Sequence, residues 1–308
     1  MHYGLLEGTG YVHLDDRFGA CVIGHSHIER LWTGSRWAEG PAWFAAGNYL
    51  LWSDIPNNRM LRWDGNDGHV STFRASANNS NGNTVDSQGR LVSCEHLTRR
   101  VTRTEHNGSI TVLADSYNGK RFNSPNDVVV HADGSVWFTD PSYGIMTNYE
   151  GDKTTPEMDD CHVYRIDTTG DITRVIDNMA KPNGIAFSPD GNAVYVSDTG
   201  ASHDPSLTPD IKRYTLSTDK KSVTDHAVFA ECTAGMFDGF RFDEDGRLWS
   251  SAADGVHCYA PDGTLIGKLQ IPELVANVEF GGAKRNRLFI CGQTSLYSVY
   301  LAVNGARR

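Results

Sequence analysis

Residues 124–140 read S-P-N-D-V-V-V-H-A-D-G-S-V-W-F-T-D, and this stretch decides the fold. The valines at 128–130 and the β-rich run at 136–139 flank Asp133-Gly134. Asp-Gly between two such runs favours a tight β-turn, because both residues tolerate positive φ. The stretch therefore predicts a β-hairpin, which begins with the polar residue Asn126 and ends with Asp140, 14 residues later.

The same pattern recurs along the chain. Each copy begins with a polar residue, here called its opener, and the openers are Glu39, Asn81, Asn126, Asn183, Asp238 and Asn277. Successive openers are 42, 45, 57, 55 and 39 residues apart, and in the first four copies an acid follows 14 or 15 residues later (Asp54, Glu95, Asp140 and Asp198). Repeats of this length with short strands and tight turns are typical of propeller blades. The sequence predicts an all-β fold, a six-bladed β-propeller with a central metal-binding channel.

The chain is predicted to form one domain, residues 1–308. Residues 1–38 contain strand-like pieces at 11–14, 20–23 and 28–32 but no opener. We expect part of this N-terminal segment, about residues 1–38, to complete the last blade, since propellers close their ring by pairing the two ends of the chain. Long insertions follow the second strand at 143–160 in blade three and at 199–210 in blade four.

Composition excludes several classes of partner. The net charge is −10 and the pI about 5.6, so the chain lacks the basic footprint of a nucleic-acid-binding protein. No apolar run approaches the roughly 18 residues of a membrane span, and the start lacks the regions of a secretory signal. The six cysteines form no CxxC pair, which favours free thiols over a disulfide framework or a zinc site. We expect a cytoplasmic protein with a small-molecule substrate and with neither nucleic acid nor membrane as partner.

The openers are the candidate site. If each lies where an innermost strand begins, all six surround one end of the channel, together with both insertions, and long loops of this kind often carry function. Two carboxylates and four amides offer oxygen donors, which suit a divalent cation, most naturally Ca²⁺, with Zn²⁺ or Mn²⁺ as alternatives. For any single opener, a turn-capping role is the competing interpretation.

Five motifs then identify a family. They are E-G-P-A-W from Glu39, N-S-P-N-D-V-V from Asn123, F-T-D-P-S-Y-G from Phe138, K-P-N-G-I-A-F-S-P-D-G from Lys181 and D-G-F-R-F-D-E-D-G-R-L-W from Asp238. In this order they resemble the gluconolactonase / senescence-marker-protein / luciferin-regenerating-enzyme family, from about Trp37 to Cys291. The resemblance implies a six-bladed propeller that holds a divalent cation and hydrolyses sugar lactones.

The resemblance also implies roles for individual residues. Metal ligands fall on Glu39, Asn183 and Asp238, and Asn126 contacts metal or substrate. Asp238 takes the acid/base role, and Asp127 matches a position that some members use near a second ion. Animal members carry an arginine where this chain has Ser124, so their sugar contacts do not transfer.

Further residues are expected to contact substrate. With Asn126 and Asp127 we place Asn81, His96 and Tyr143 in this group. His96 and His203 are alternative proton carriers, because histidine titrates near neutral pH. For both histidines a packing or surface role is the competing interpretation.

Two other functions fit the same scaffold. An organophosphate or aryl-ester hydrolase would use the same cation on a P=O or ester group. A non-catalytic propeller would serve as a binding module, although the ring of acids and amides speaks against it. Fold alone does not decide among them.

Overall fold

The computed structural model describes residues 6–307, and its longer strands form six antiparallel sheets. The innermost strands contact one another in a closed ring around a common axis. From blade one to blade six they are Ala38–Phe44, Ser80–Val85, Val128–Val130, Pro182–Phe187, Phe240–Phe242 and Val275–Gly281. The predicted all-β, six-bladed propeller is confirmed.

Each blade continues outward through neighbouring strands of the sequence. Blade one adds Tyr49–Asp54, Arg59–Asp64 and Val70–Ala75. Blade two adds Leu91–Glu95, Arg100–Thr104 and Ile110–Ala114. Blade three adds Val136–Asp140, His162–Ile166 and Ile172–Ile176. Blade four adds Ala193–Asp198, Asp210–Leu216 and Val223–Glu231. Blade five adds Leu248–Ala252, Gly255–Tyr259 and Leu265–Gln270. Blade six adds Arg287–Gly292 and Ser295–Tyr300. Outside the blades lie the two-stranded hairpin Ser116–Tyr117 and Lys120–Arg121, the short α-helix Tyr143–Met146 and the 3₁₀ helices Asp16–Ala20 and Gly200–Ser202.

The N-terminal segment serves two blades. Glu29–Thr33 pairs with Ser295–Tyr300 and is the outer strand of blade six, whereas Gly10–His13 pairs with Leu265–Gln270 and is a fifth strand of blade five. The expected strand at 20–23 is wrong. The chain there leaves the 3₁₀ helix Asp16–Ala20, whose start is capped by the Asp15 carboxylate, and only Val22 makes an isolated bridge.

The hydrophobic core lies between neighbouring blades. The hairpin of residues 124–140 forms as predicted, with Val128 opposite Phe138 and Gly134 at φ +88° in the turn. Trp137, on its second strand, is fully buried in the cluster that joins blades three and four. Trp43 stacks on Phe289 at 5.4 Å between the ring centroids and joins blades one and six. Packing between blades, rather than filling of the axis, therefore fixes the ring and leaves polar residues near its centre.

Within residues 6–307 no helix is long and apolar enough to cross a membrane.

Candidate active site

The openers lie within two residues of the starts of the innermost strands, packed side by side. In four blades a glycine follows the opener and lies directly against the next blade. A Cβ on Gly82 would lie 2.4 Å from the Asn126 carbonyl oxygen, and a Cβ on Gly184 would lie 2.0 Å from that of Asp238. Real Cβ atoms do not approach backbone so closely, so only glycine fits at these junctions.

Hydroxyl groups at the ends of the second strands hold these openers. Ser53 Oγ of blade one donates to the Asn81 carbonyl at 2.8 Å, and Ser197 Oγ of blade four donates to the Asp238 carbonyl at 2.9 Å. Thr139 makes the same bond to the carbonyl of Asn183 at 2.7 Å. Blades one, three and four thereby position the opener of the following blade.

The acids that follow these hydroxyls hold the loop that enters their own blade. Asp140 accepts the backbone N–H groups of Asn123 and Ser124, both at 2.8 Å, and Asp198 accepts that of Lys181 at 2.9 Å. Burial raises the pKa of Asp140 to about 7. These acids are positioning groups, and the Ser/Thr-Asp dipeptides at 53–54, 139–140 and 197–198 are the sequence signal for them.

The two carboxylate openers face the ring with little compensation. Glu39 Oε2 accepts hydrogen bonds from the Gly40 N–H and, at 2.9 Å, from Asn277 Nδ2. Burial and then repulsion from Asp127 raise the pKa of Glu39 to about 8. Burial, then Glu39 and Asp127, raise the pKa of Asp238 well above its usual range. Among the described residues, the partly exposed Asp238 carboxylate has no hydrogen-bond or ion-pair partner.

Two amide oxygens near these acids lack hydrogen-bond donors. Asn81 Oδ1 and Asn183 Oδ1 are buried and accept no hydrogen bond from any described residue. A buried acceptor without a donor is costly, and a cation removes that cost. In residues 6–307 no three His, Cys, Asp or Glu side chains form a metal-binding cluster. The donors that fit a cation are therefore the two carboxylates with the oxygen of Asn183, a set that suits an oxygen-seeking ion.

Blade three departs from the opener-glycine pattern. Asn126 is buried, and its carbonyl accepts the Gly82 N–H at 2.7 Å. The next residue is Asp127, whose carboxylate accepts the N–H of Val128 at 2.9 Å. Its other oxygen lies 4.0 Å from Nη1 of the buried Arg241. Asp127 is thus held near the ring by backbone donors and an internal cation.

His96 lines the ring next to blade two's opener. It is fully buried, and its Nε2 lies 3.2 Å from Asn81 Nδ2. Burial lowers the pKa of His96 to about 4. The imidazole of His96 is therefore neutral at physiological pH, which disfavours His96 as a proton donor.

Tyr143 joins the two insertions. Its hydroxyl lies 2.7 Å from Thr199 Oγ1 and 3.0 Å from Ser202 Oγ in the blade-four insertion. The Asp238 charge contributes to raising its pKa to about 12, although burial is the larger cause. His203 stands farther out, exposed, with its ring 5.8 Å from that of Tyr143. The tyrosine therefore walls the site, and the histidine lies at its outer edge.

Ser124, at the position where animal members of the family carry an arginine, anchors an insertion. Its hydroxyl donates to the Pro141 carbonyl at 2.6 Å and accepts the Gly144 N–H at 2.9 Å. Arg121 is exposed and donates instead to the Thr98 carbonyl at 2.9 Å. Neither side chain takes the place of the missing arginine.

The blade-three insertion brings in a carboxylate that the sequence reasoning missed. Glu150 is partly buried, and its charge contributes to the raised pKa of both Glu39 and Asp238. Burial raises the pKa of Glu150 itself to about 7. No local motif marks this residue, because an insertion carries no repeat signal.

A separate cavity of about 130 Å³ lies at the other end of the inner strands, away from the openers. Its lining includes Val130, Phe187 and Phe280, and it contains none of the residues predicted to act in the site. The chemistry of the openers is therefore confined to one end of the propeller.

Comparison with known proteins agrees with this arrangement. A family model described as SMP-30/Gluconolactonase/LRE-like region matches residues 37–294. The chain is 33% identical over 272 residues to a gluconolactonase of Zymomonas mobilis, covering 82% of this chain and 74% of that protein. It is 29% identical over 266 residues to the pentonolactonase XacC of Haloferax volcanii, covering 84% and 82%. The solved structure of a Xanthomonas campestris gluconolactonase superposes with a TM-score of 0.88 at 37% identity, over 94% of each chain.

Proposed function

The chain belongs to the SMP-30/gluconolactonase/LRE-like family, and from that premise we propose that it is a lactonase that opens a sugar lactone to the aldonic acid with a bound divalent cation. The observation that carries the proposal is the pair Glu39 and Asp238, which no cationic side chain of the described residues contacts. Their carboxylates repel each other at one end of the axis, beside the donor-free oxygen of Asn183. Relatives named gluconolactonase and pentonolactonase favour a lactone over a phosphotriester.

The residues that would hold the cation are Glu39, Asn183 and Asp238, with Asn126 beside them. All offer oxygen, which favours Ca²⁺ while leaving Mn²⁺ or Zn²⁺ able to bind. When bound, the cation would supply a Lewis acid that polarises the lactone carbonyl. It would also lower the pKa of Asp238, so that this carboxylate is ionised at neutral pH.

The chain's own groups would carry the proton. Water attacks the carbonyl carbon, and the Asp238 carboxylate accepts a proton from that water. Asp238 then returns the proton to the ring oxygen as the ester bond breaks, which yields the open hydroxy acid. Asn81, Asn126, Asp127 and Tyr143 would contact the sugar, and His96, neutral and bonded to Asn81, would orient that amide.

A substrate panel tests the proposal. Acid release is followed from D-glucono-1,5-lactone, pentonolactones and aryl lactones, first after chelation and then with Ca²⁺, Mn²⁺ or Zn²⁺ restored. We expect chelation to abolish sugar-lactone hydrolysis and one cation to restore it.

Failure has distinct meanings in this panel. Hydrolysis that survives chelation would overturn the cation's role while leaving the lactonase intact. Absence of turnover for every lactone under every cation would overturn the lactonase itself, and phosphotriesters would then be the next substrates to test.

A further inference from the structure

The side chain of Glu150 is a partly buried carboxylate without a partner. Within residues 6–307 it takes part in no hydrogen bond and no ion pair, and burial is the sole cause that raises its pKa. A carboxylate in such surroundings costs stability unless a ligand contacts it. Glu150 has no role in the proposed hydrolysis.

Its backbone is fixed against the ring by two glycines. A Cβ on Gly151 would lie 2.2 Å from the Gly144 carbonyl oxygen, and a Cβ on Gly144 would lie 2.6 Å from the His96 side chain. The Glu150 backbone also contacts the His96 imidazole. The blade-three insertion thus packs against His96, which hydrogen-bonds the opener Asn81. This packing fixes the position of the Glu150 backbone at the site.

The charge of Glu150 acts on openers in two other blades. It acts on Glu39 of blade one and on Asp238 of blade five, although its own insertion belongs to blade three. Because its backbone also contacts His96 beside Asn81, Glu150 lies next to the ring of openers, within range of openers from blades one and five. A lactone bound by the openers would therefore lie close to Glu150.

We propose that Glu150 is a specificity-determining residue that faces the bound lactone, accepts hydrogen bonds from its hydroxyl groups and excludes lactones with anionic substituents. The inference rests on the proposed lactonase function and adds its substrate class, which is the uncharged polyhydroxylated lactones. A carboxylate suits this task because it only accepts hydrogen bonds when ionised, whereas a sugar hydroxyl can always donate one.

The cations nearby do not offset this charge. Lys181 Nζ donates to Ser142 Oγ at 2.7 Å and lies 5.3 Å from the centre of the Tyr143 ring. Arg241 is buried and bonded to Glu279 at 2.8 Å. Neither lowers the pKa of Glu150. Among the described side chains, no lysine or arginine therefore neutralises the carboxylate that a phosphate or sulfonate on the substrate would meet.

The test compares D-glucono-1,5-lactone with its 6-phosphate, which differ only in the anionic group. kcat/KM is measured for both, with spontaneous opening subtracted and the activating cation at saturation for each variant. For Glu150→Gln we expect the preference for the neutral lactone to fall by on the order of tenfold or more, because a like-charge repulsion disappears. KM for the neutral lactone should rise severalfold, since an amide is a weaker acceptor.

Asp152→Asn is the matched control. Asp152 lies in the same insertion, is exposed, and is not among the groups that act on Glu39 or Asp238. This variant removes the same charge and should keep the wild-type preference.

Three results would overturn the inference: an unchanged ratio in Glu150→Gln, an equal change in Asp152→Asn, or loss of cation binding in Glu150→Gln, which would make Glu150 a ligand. Glu150→Ala repeats the charge change should the glutamine variant fold poorly. If the wild-type protein opens neither lactone, the proposed lactonase fails instead, so the two failures are distinguishable.

Discussion

At the scale of single residues, the site combines acids that repel one another with amides that lack donors. Glu39, Asp127, Glu150 and Asp238 contribute negative charge at one end of the axis, and Arg241 is a buried cation beside Asp127. Such a cluster is unfavourable by itself and becomes favourable with a cation and a polar substrate.

Replacing Asp238 by asparagine keeps the shape of the side chain and removes its ability to accept a proton. We expect Asp238→Asn to lower kcat by about 10²- to 10⁴-fold, the usual contribution of a general acid–base group. The dissociation constant of the cation should rise by a smaller factor, because an amide oxygen still coordinates. Steady-state kinetics and calorimetric cation titration measure both effects, and a near-wild-type rate would contradict the acid/base role.

Glu39 makes cation binding pH-dependent. Its pKa is about 8 in the folded chain, against the usual 4.5, so protons compete with the cation. The apparent cation affinity should therefore fall as pH falls below 8, by up to about tenfold per unit for one linked proton.

The same shift has a consequence for stability. A carboxyl with a raised pKa stabilises the fold at low pH, and that contribution is lost as pH rises from about 4.5 through 8. The chelated protein should therefore melt at lower temperature at pH 8 than at pH 6, and Glu39→Gln should weaken this trend. Thermal unfolding and calorimetry at pH 6, 7 and 8 test both expectations; pH-independent cation affinity would refute the linkage.

At the scale of the strand, the site depends on how closely one innermost strand approaches the next. The hydroxyl-to-opener bonds from Ser53, Thr139 and Ser197 repeat between blades, and Gly40 and Gly184 make room for the approaches at Ser53 and Ser197. The position of one opener is therefore coupled to the backbone of its neighbour.

Gly184→Ala tests this coupling. The new Cβ would lie 2.0 Å from the Asp238 carbonyl oxygen, so the strand Phe240–Phe242 and its opener must shift. Overpacking of this kind costs about 1–3 kcal/mol, and activity should fall by more than tenfold. Gly24→Ala is the control, because nothing lies within 4 Å of its added Cβ and it should change stability by less than about 0.5 kcal/mol. Thermal melts measure the loss of stability, and kcat/KM measures the loss of activity. Full activity in Gly184→Ala would refute the coupling.

At the scale of the whole molecule, the ring is closed by the N-terminal segment. Glu29–Thr33 completes blade six, where Trp32 lies 5.7 Å from Trp52 of blade one, ring centre to ring centre. The strand Gly10–His13 only widens blade five. The two strands should therefore contribute differently to stability.

Truncation separates the two contributions. Removing residues 1–33 exposes the edge of Ser295–Tyr300 and removes the burial of Leu31 and Trp32, each worth about 1.5–3 kcal/mol when complete. We expect the melting temperature to fall by roughly 10 °C or more. Removing residues 1–14 should have a smaller effect, since blade six keeps its four strands. Equal effects of the two deletions would show that closure of blade six is not the dominant contribution.

The sequence alone determined the number of blades, the positions of the openers and the family. It could do so because hairpins and their turns are local, so Asp133-Gly134 and the recurring opener with its acid mark each blade wherever the chain then goes. The tertiary structure decided what depends on contacts between distant segments. It placed Gly10–His13 in blade five, made His96 neutral beside Asn81, assigned Asp140 and Asp198 to holding loops, and brought Glu150 next to His96. None of these follows from spacing, because burial and charge repulsion arise only when separate blades meet at the axis.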